Sequence, residues 1–476
     1  MFYWSAAMGR ILRVTCLPLL VIANVQVVQS SATETSGGQT LSLNKAIVAA
    51  LANDPWQAGN RHRQTAYEAQ SVAAGTLPDP RVSVNFANLP TDTFDFNQEA
   101  MTQFRVGVTQ MFPRGQSLRM KQQYMAVLGS QHPLLAADRE AQVTLTVSQL
   151  WLDVYQASAS IEAIESNRAL FEQLVDVAIA SYSNALGRTR QQDVIRAQLE
   201  LTRLQDRLVR LQQDRDMGSQ QLMEWLADGP GLNGDTEGGL LYSRNHMQGF
   251  SLPDELPQVR LRRSPLPVND EFDQKHLMSH PAVLALDRLV EAARVGVELA
   301  RQKYKSEWGV SASYAYREDD PSGLDRSDFF SLGISFDLPV FTANRQDKQV
   351  RSAAAKAEEI RSRKWLLLRR MTSELATAAK QLGHVDQRQR IFLDQLLPQM
   401  QEQAEASLAA YTNDDGDFAE VVRARIALLN TEIESLQIAV ERQKTVAQLN
   451  YLLTSFAGSE TAELATTPFD TAGEIR

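Results

Sequence analysis

The sequence predicts a mainly helical protein with a small β part, written as two internal repeats. Three observations predict it. A shift of 226 residues lays the first half on the second: Pro55 of "NDPWQAG" meets Pro281 of "SHPAVLA", Val84 meets Val310, and "FRVGVTQMFP" from Phe104 meets "FSLGISFDLP" from Phe330. Four short segments alternate large apolar with small or polar residues, which is the pattern of a two-faced strand. Most of the remainder carries apolar residues at alternating three-and-four spacing, the seam of a coiled coil. A fixed offset held across helix, strand, loop and strand is the mark of duplication.

Arg10 and Arg13 precede the apolar stretch Val14 to Val28, after which "QSSATETSGG" turns polar. That order reads as a secretory signal peptide over 1–32, cleaved after Ala32, with Met8 as an alternative start. The competing reading, an anchor helix, is interrupted by Pro18 and Asn24. Cys16 is the only cysteine and lies inside the apolar segment. Arg13 stands where a lipoprotein motif needs an aliphatic residue, so no lipid anchor is expected. A chain processed in this way has no thiol for disulfides. The first repeat is placed at 39–227, a Gly- and Pro-rich linker at 228–273, the second repeat at 274–456 and a flexible tail at 457–476.

Each copy reads helix, strand, loop, strand, long helix, break, helix. The strands are expected over Arg81 to Ala87, Gln103 to Phe112, Glu307 to Tyr316 and Phe329 to Leu338. Even positions are large: Val84, Phe86, Phe104, Val106, Val108, Trp308, Val310, Phe330, Leu332, Ile334 and Phe336. Odd positions include Ser83, Gly107, Ser311, Ser313, Gly333 and Ser335. A half-buried sheet in a soluble domain would alternate in this way. So would a transmembrane barrel, apolar outside and polar within. Strands of about ten residues suit a tilted crossing of the hydrocarbon. Trp308 and Tyr316, about 26 Å apart along one strand at ~3.3 Å per residue, suit interfacial girdles. Together with the leader, these features favour the barrel. Four strands cannot close one, because single-chain barrels begin at about eight and open edges are not tolerated in lipid. Several copies would have to share it, with 89–102 and 317–328 as external turns.

After Pro113 and Pro339 the chain enters helix. A continuous helix from Gln116 to Ser183 would reach roughly 100 Å at ~1.5 Å per residue, with kinks expected at Pro133 and, in the second copy, Pro398. The returning seams are Val194, Ala197, Leu201, Leu204, Leu208, Leu211 and Val422, Ile426, Leu429, Ile433, Leu436, Val440. Both copies reverse near "NALGRTRQQ" and "NDDGDFAEV", where glycine ends a helix. His276, Met278 and His280 in "HLMSH" are metal-capable, but His280–Pro281 also reads as a helix start, and no metal or cofactor site is assigned. No nucleophile motif, phosphate loop or H-E-x-x-H occurs, so no enzyme is expected. The net charge of −9 argues against nucleic acid.

"LSLNKAIVAALANDP", "GTLPDPRVSV", "VTQMFPRG", "SHPAVLALDRLVEAARVGV" and "LLPQMQEQAEASLAAY" resemble the TolC-like outer-membrane efflux proteins, the outer membrane factors, from about Leu41 to Leu453. The resemblance implies a homotrimer with a twelve-stranded barrel in the Gram-negative outer membrane and a coiled-coil helical barrel crossing the periplasm. It implies the exit duct of a tripartite efflux system, with a periplasmic adaptor (membrane fusion) protein and an inner-membrane pump of the resistance-nodulation-division type as partners. Carried onto this chain, the entrance turns are Tyr182 to Asp193 and Tyr411 to Glu420. Arg188 and Arg190 are then expected to pair with Asp414, Asp415, Asp417 and Glu420 when closed, the acids favouring cations when open. The plain alternative is solvated turn residues. The stretch from Gly75 to Pro113 is also similar to the heavy-metal branch, which makes metal cations the expected cargo. Drug efflux or type I protein secretion are the alternatives within the fold, and a periplasmic coiled-coil adaptor or scaffold is the alternative outside it.

Overall fold

The computed structural model describes residues 40–183, 190–226, 251–262, 276–413 and 417–456, all within one compact unit, Thr40–Arg476. The expected leader, most of the linker, the tail, and Arg188, Asp414 and Asp415 lie outside the described residues.

Helix α1 (Leu43–Asn53) begins at Ser42, whose hydroxyl accepts the Lys45 amide, and α2 (Pro55–Ala74) begins at Asp54, whose carboxylate accepts the Trp56 amide. Pro55 occupies the first helical turn, where an amide would have no partner anyway. The second half of the chain uses a similar device: His280 caps α6 (Pro281–Arg301) through Nδ1, with Pro281 following. A hairpin follows each of α2 and α6. Strands β1 (Arg81–Ala87) and β2 (Gln103–Phe112) come from the first half, β3 (Trp308–Tyr316) and β4 (Phe329–Phe336) from the second. They form one antiparallel sheet in the order β1-β2-β3-β4. β4 stops two residues before the expected Leu338; just beyond it the Asp337 carboxylate accepts the Glu307 amide at 2.7 Å and the Asp337 amide donates to Glu307 O at 3.4 Å.

The helix after β2 is not continuous. Helix α3 (Ser117–Ser130) ends at Gln131 and α4 (His132–Ser183) restarts beside Pro133. Proline has no amide to give, and the Gln131 carbonyl instead collects the amides of Leu134 and Leu135, each at 3.1 Å. The second half handles its proline differently. Helix α7 (Gln346–Ile391) passes into a π turn, Phe392–Leu396, which delivers Pro398 to the first turn of α8 (Leu397–Thr412). The wider turn absorbs the proline without a break.

The return helices, α5 (Gln191–Leu226) and α9 (Phe418–Leu452), bury the predicted seams. Around the far turns Val194, Ala197, Leu201, Leu204, Leu208 and Leu211 pack with Val422, Ile426, Leu429 and Ile433, against Ile164 and Phe171 of α4. Leu436 and Val440 join a second cluster built on Trp151, Leu152 and Leu222. A third gathers Leu277, Leu368, Met371, Leu375, Leu449 and Leu452. Each fully buried aliphatic side chain contributes about 1.5–3 kcal/mol, so these clusters hold the helical body. Among the described residues no helix is long and apolar enough to cross a membrane.

Candidate functional site: a two-faced sheet and the far helical turns

The register sorts the sheet by parity. Val84 faces Val106, which faces Tyr314, which faces Phe330; Val108 faces Ala312, which faces Leu332; Phe112 faces Trp308, which faces Phe336. Every even residue therefore shares one face. Val84, Phe86, Val106, Val108, Trp308, Val310, Phe330, Leu332, Ile334 and Phe336 are exposed, Phe330 at 72% and Leu332 at 68%. Phe104 is half-buried, its ring 5.0 Å from that of Phe86. The exposed apolar surface continues past β4 through Leu338, Val340 and Phe341. An apolar face of this extent, left uncovered, marks contact with lipid or protein. Aromatic rings gather at both ends of it: Trp308 lies 4.9 Å from Phe336, and Phe96 stacks on Tyr316 at 6.3 Å.

The opposite face is small and tightly closed. Ser83 faces Gly107, Ser311 faces Gly333 and Ser335 faces Gly309. A methyl group on Gly333 would come within 2.9 Å of the Ser311 hydroxyl, and one on Gly309 within 2.6 Å of the Ser335 hydroxyl. At these pairs a Cβ would meet the serine hydroxyl opposite, which explains why glycine stands there.

Both ends of the sheet are latched. At the helical end Gly115, at φ +49°, lets the chain pass under Lys305, whose Cδ would lie 2.4 Å from any added Cβ. Arg114 donates to the Lys303 and Lys305 carbonyls at 3.2 and 3.3 Å and pairs with Asp337, joining the two halves. At the loop end Arg326, with its side chain 12% exposed, pairs with Asp320 and donates to Asn97 O at 3.2 Å and Glu99 O at 3.5 Å. Arg317 stacks its guanidinium 4.0 Å over Phe329 and donates to Ala100 O. The two loops are thus fastened to each other before any partner is present.

At the far turns, Asp417 caps α9 by accepting the Ala419 amide at 3.2 Å, and Glu420 pairs with Arg423 of its own helix at 2.8 Å. Arg190 is exposed. Phe418 and Tyr411 meet edge-on at 5.7 Å, closing the α8–α9 reversal over the buried Val421 and Val422. Within one chain Asp417 and Glu420 are thus engaged by their own helix.

The histidines of "HLMSH" are committed to the main chain. His280 is fully buried; its Nδ1 accepts from Ala282 and its Nε2 donates to Tyr451 O at 3.1 Å, while His276 Nε2 lies 2.9 Å from Leu453 O. Burial lowers the His280 pKa to about 4. Nearby, Tyr451 donates to the buried Asp138 at 3.3 Å, and burial lifts that carboxyl to about 6. Among the described residues no group of three potential metal ligands converges.

The linker, an equatorial segment expected to cross the outside of the helical body, is assigned no function by its sequence; its residues 251–262 pack on that body. Gln443 accepts the Val259 amide at 2.8 Å and donates to Gln258, while Asn450 accepts the Arg262 amide at 2.8 Å and donates to Arg260 O at 2.9 Å. The signal was present. The second seam continues past Val440 at the same spacing through Gln443, Ala447 and Asn450. Amides on a seam mark a stretch that faces open backbone instead of another helix.

The described chain thus joins long helical hairpins to a two-faced sheet of four strands. Compared by sequence, the chain matches no protein-family profile and no curated protein. Compared by structure, it superimposes on the outer-membrane channel OprN (16% identity, TM-score 0.69, covering 86% of this chain and 89% of that one). It also superimposes on the outer membrane protein VceC of Vibrio cholerae (16% identity, TM-score 0.69, 87% and 96%). A third match is CusC (15% identity, TM-score 0.66, 88% and 93%).

Proposed function

We propose that this chain is one third of an outer-membrane exit duct. Its four strands supply one share of a twelve-stranded barrel, and its helices supply a share of the tunnel below. The observation that carries this reading is a sheet with two free edges and a bare apolar face. In water such edges invite aggregation, and in lipid they must be paired. Closure with further copies, the apolar face turned to lipid, satisfies both demands and makes the Ser/Gly face the lumen wall. The fold shared with solved outer-membrane channels supports the same arrangement and a Gram-negative outer-membrane location.

On this reading the duct is passive: the energy comes from an inner-membrane pump, joined through a periplasmic adaptor at the far turns. The acidic turn carrying Asp417 and Glu420 supports a preference for cations at the entrance, with metal cations as the proposed cargo. Purified protein would run as a trimer resistant to mild SDS, fractionate with outer membranes, and give stepwise conductance in planar bilayers. A monomer recovered from the soluble periplasmic fraction would instead favour the adaptor or scaffold reading. Deletion of the gene should sensitise cells to one or more of copper, silver, cobalt, zinc and cadmium. Unchanged metal tolerance with heightened drug sensitivity would reassign the cargo and leave the duct in place.

A further inference from the structure

We propose that the lumen face of the sheet carries a basic belt, centred on Arg105 and continued by Arg81, that draws carboxylate- or phosphate-bearing solutes into the barrel. The inference rests on the duct reading, because only closure around a lumen makes that face a pore wall.

Arg105 faces Asn85 on one side and Ala315 on the other, and Arg81 faces Thr109, so both arginines stand on the Ser/Gly face. Four register steps separate them, about 13 Å at ~3.3 Å per residue. None of the four strands contains an aspartate or glutamate. The charge is therefore not offset within the sheet. Arg114 and Arg326, at the two ends, each find a carboxylate in Asp337 and Asp320. Arg105 finds none: its Nε is buried without a hydrogen-bond partner, and Gln103 Oε1, two residues along the same face, is also unmet. Buried polar atoms are seldom left unpaired without a reason. An arginine presents a planar fork of donors that suits oxyanions.

Three copies would set three Arg105 side chains at one level of a low-dielectric wall, a geometry that concentrates field lines on the axis. At ~10 Å from three such charges and with a Debye length of ~10 Å, a univalent anion is enriched about twofold and a cation depleted about as much. A cation admitted by the acidic turns meets the belt as a barrier, and an acid-bearing solute does not. The two ends of the duct would then select with opposite sign.

The test is the reversal potential of the purified, bilayer-inserted protein across a KCl gradient. Arg105→Gln should raise the K⁺/Cl⁻ permeability ratio about two- to fourfold, and Arg105→Lys should leave it near the wild-type value. As a second measurement on the unaltered protein, hexacyanoferrate added from the loop side at low salt should reduce the current in a concentration-dependent way. Wild-type pores that ignore this anion, or an Arg105→Gln pore with an unchanged ratio, would overturn the belt and leave the duct standing. A wild-type protein with no conductance and no trimer overturns the duct and the belt together.

Discussion

Leu332→Arg separates a lipid-facing sheet from a soluble one. Leu332 sits at the middle of the strand register, opposite Ala312 and, one strand further, Val108, and it is 68% exposed. On a soluble domain an exposed leucine exchanged for arginine shifts stability by about 0.5 kcal/mol or less, and solubility rises. At the midplane of a bilayer the same charge costs about 2–4 kcal/mol per chain, a factor of roughly 30 to 700 in the folding equilibrium at ~1.4 kcal/mol per decade. Depth dependence sharpens the comparison. Phe336→Arg lies in the aromatic band beside Trp308, where the cost falls to about 0–1 kcal/mol. Ser331→Arg, next to Leu332 but on the lumen face, tests for general intolerance of the strand. Urea titration of folding into phospholipid vesicles, read by heat-modifiable mobility, measures all three. The expected order of damage is Leu332→Arg far above Phe336→Arg and Ser331→Arg. Equal tolerance of all three would refute the assignment of the even face to lipid.

The Ser/Gly ladder predicts rescue by exchange. Gly333→Ser should cost about 1 kcal/mol through its contact with the Ser311 hydroxyl, and adding Ser311→Gly should restore the wild-type urea midpoint; a double variant no better than the single would break the register argument. Acid should test the buried pair. His280, neutral with a pKa near 4, takes up its proton less readily folded than unfolded, so its stabilisation is intact above pH 6.5 and is lost between 6.5 and 4, about 3 kcal/mol in all. Asp138, raised to about 6, binds its proton more readily when folded and contributes increasing stability as pH falls from 6 to 4, about 3 kcal/mol of opposite sign. Wild-type melting in detergent should therefore vary little across that window, whereas Asp138→Asn should fall by an extra ~1.4 kcal/mol per pH unit; parallel curves would show that the two do not offset. Finally, Arg326→Ala releases the Asn97 and Glu99 carbonyls and should make residues 89–102 cleavable by protease added to intact cells, with the wild type resistant.

Much of this protein was legible in its sequence because the two halves carry similar signals in the same order. The strand ends at Arg81, Ala87, Gln103, Phe112 and Tyr316 follow from alternation alone, since a strand's two faces are fixed by a period of two. The coiled-coil seams follow from three-and-four spacing for the same reason. What periodicity cannot state is which elements meet. That the second half's β3 pairs with the first half's β2, and so leaves β1 and β4 as free edges, is a long-range choice settled in three dimensions. So is the different treatment of the two prolines: a break at Gln131 in one half and a π turn at Phe392–Leu396 in the other. Gln443 and Asn450 continue the α9 seam as amides, and that residues 251–262 lie across them is again a long-range contact. Alternation determined that the sheet has an oily face and a small one. Only the tertiary structure decided that the four strands join in one sheet with the oily face left uncovered, because pairing and burial depend on long-range contacts that the order of residues along a strand does not contain.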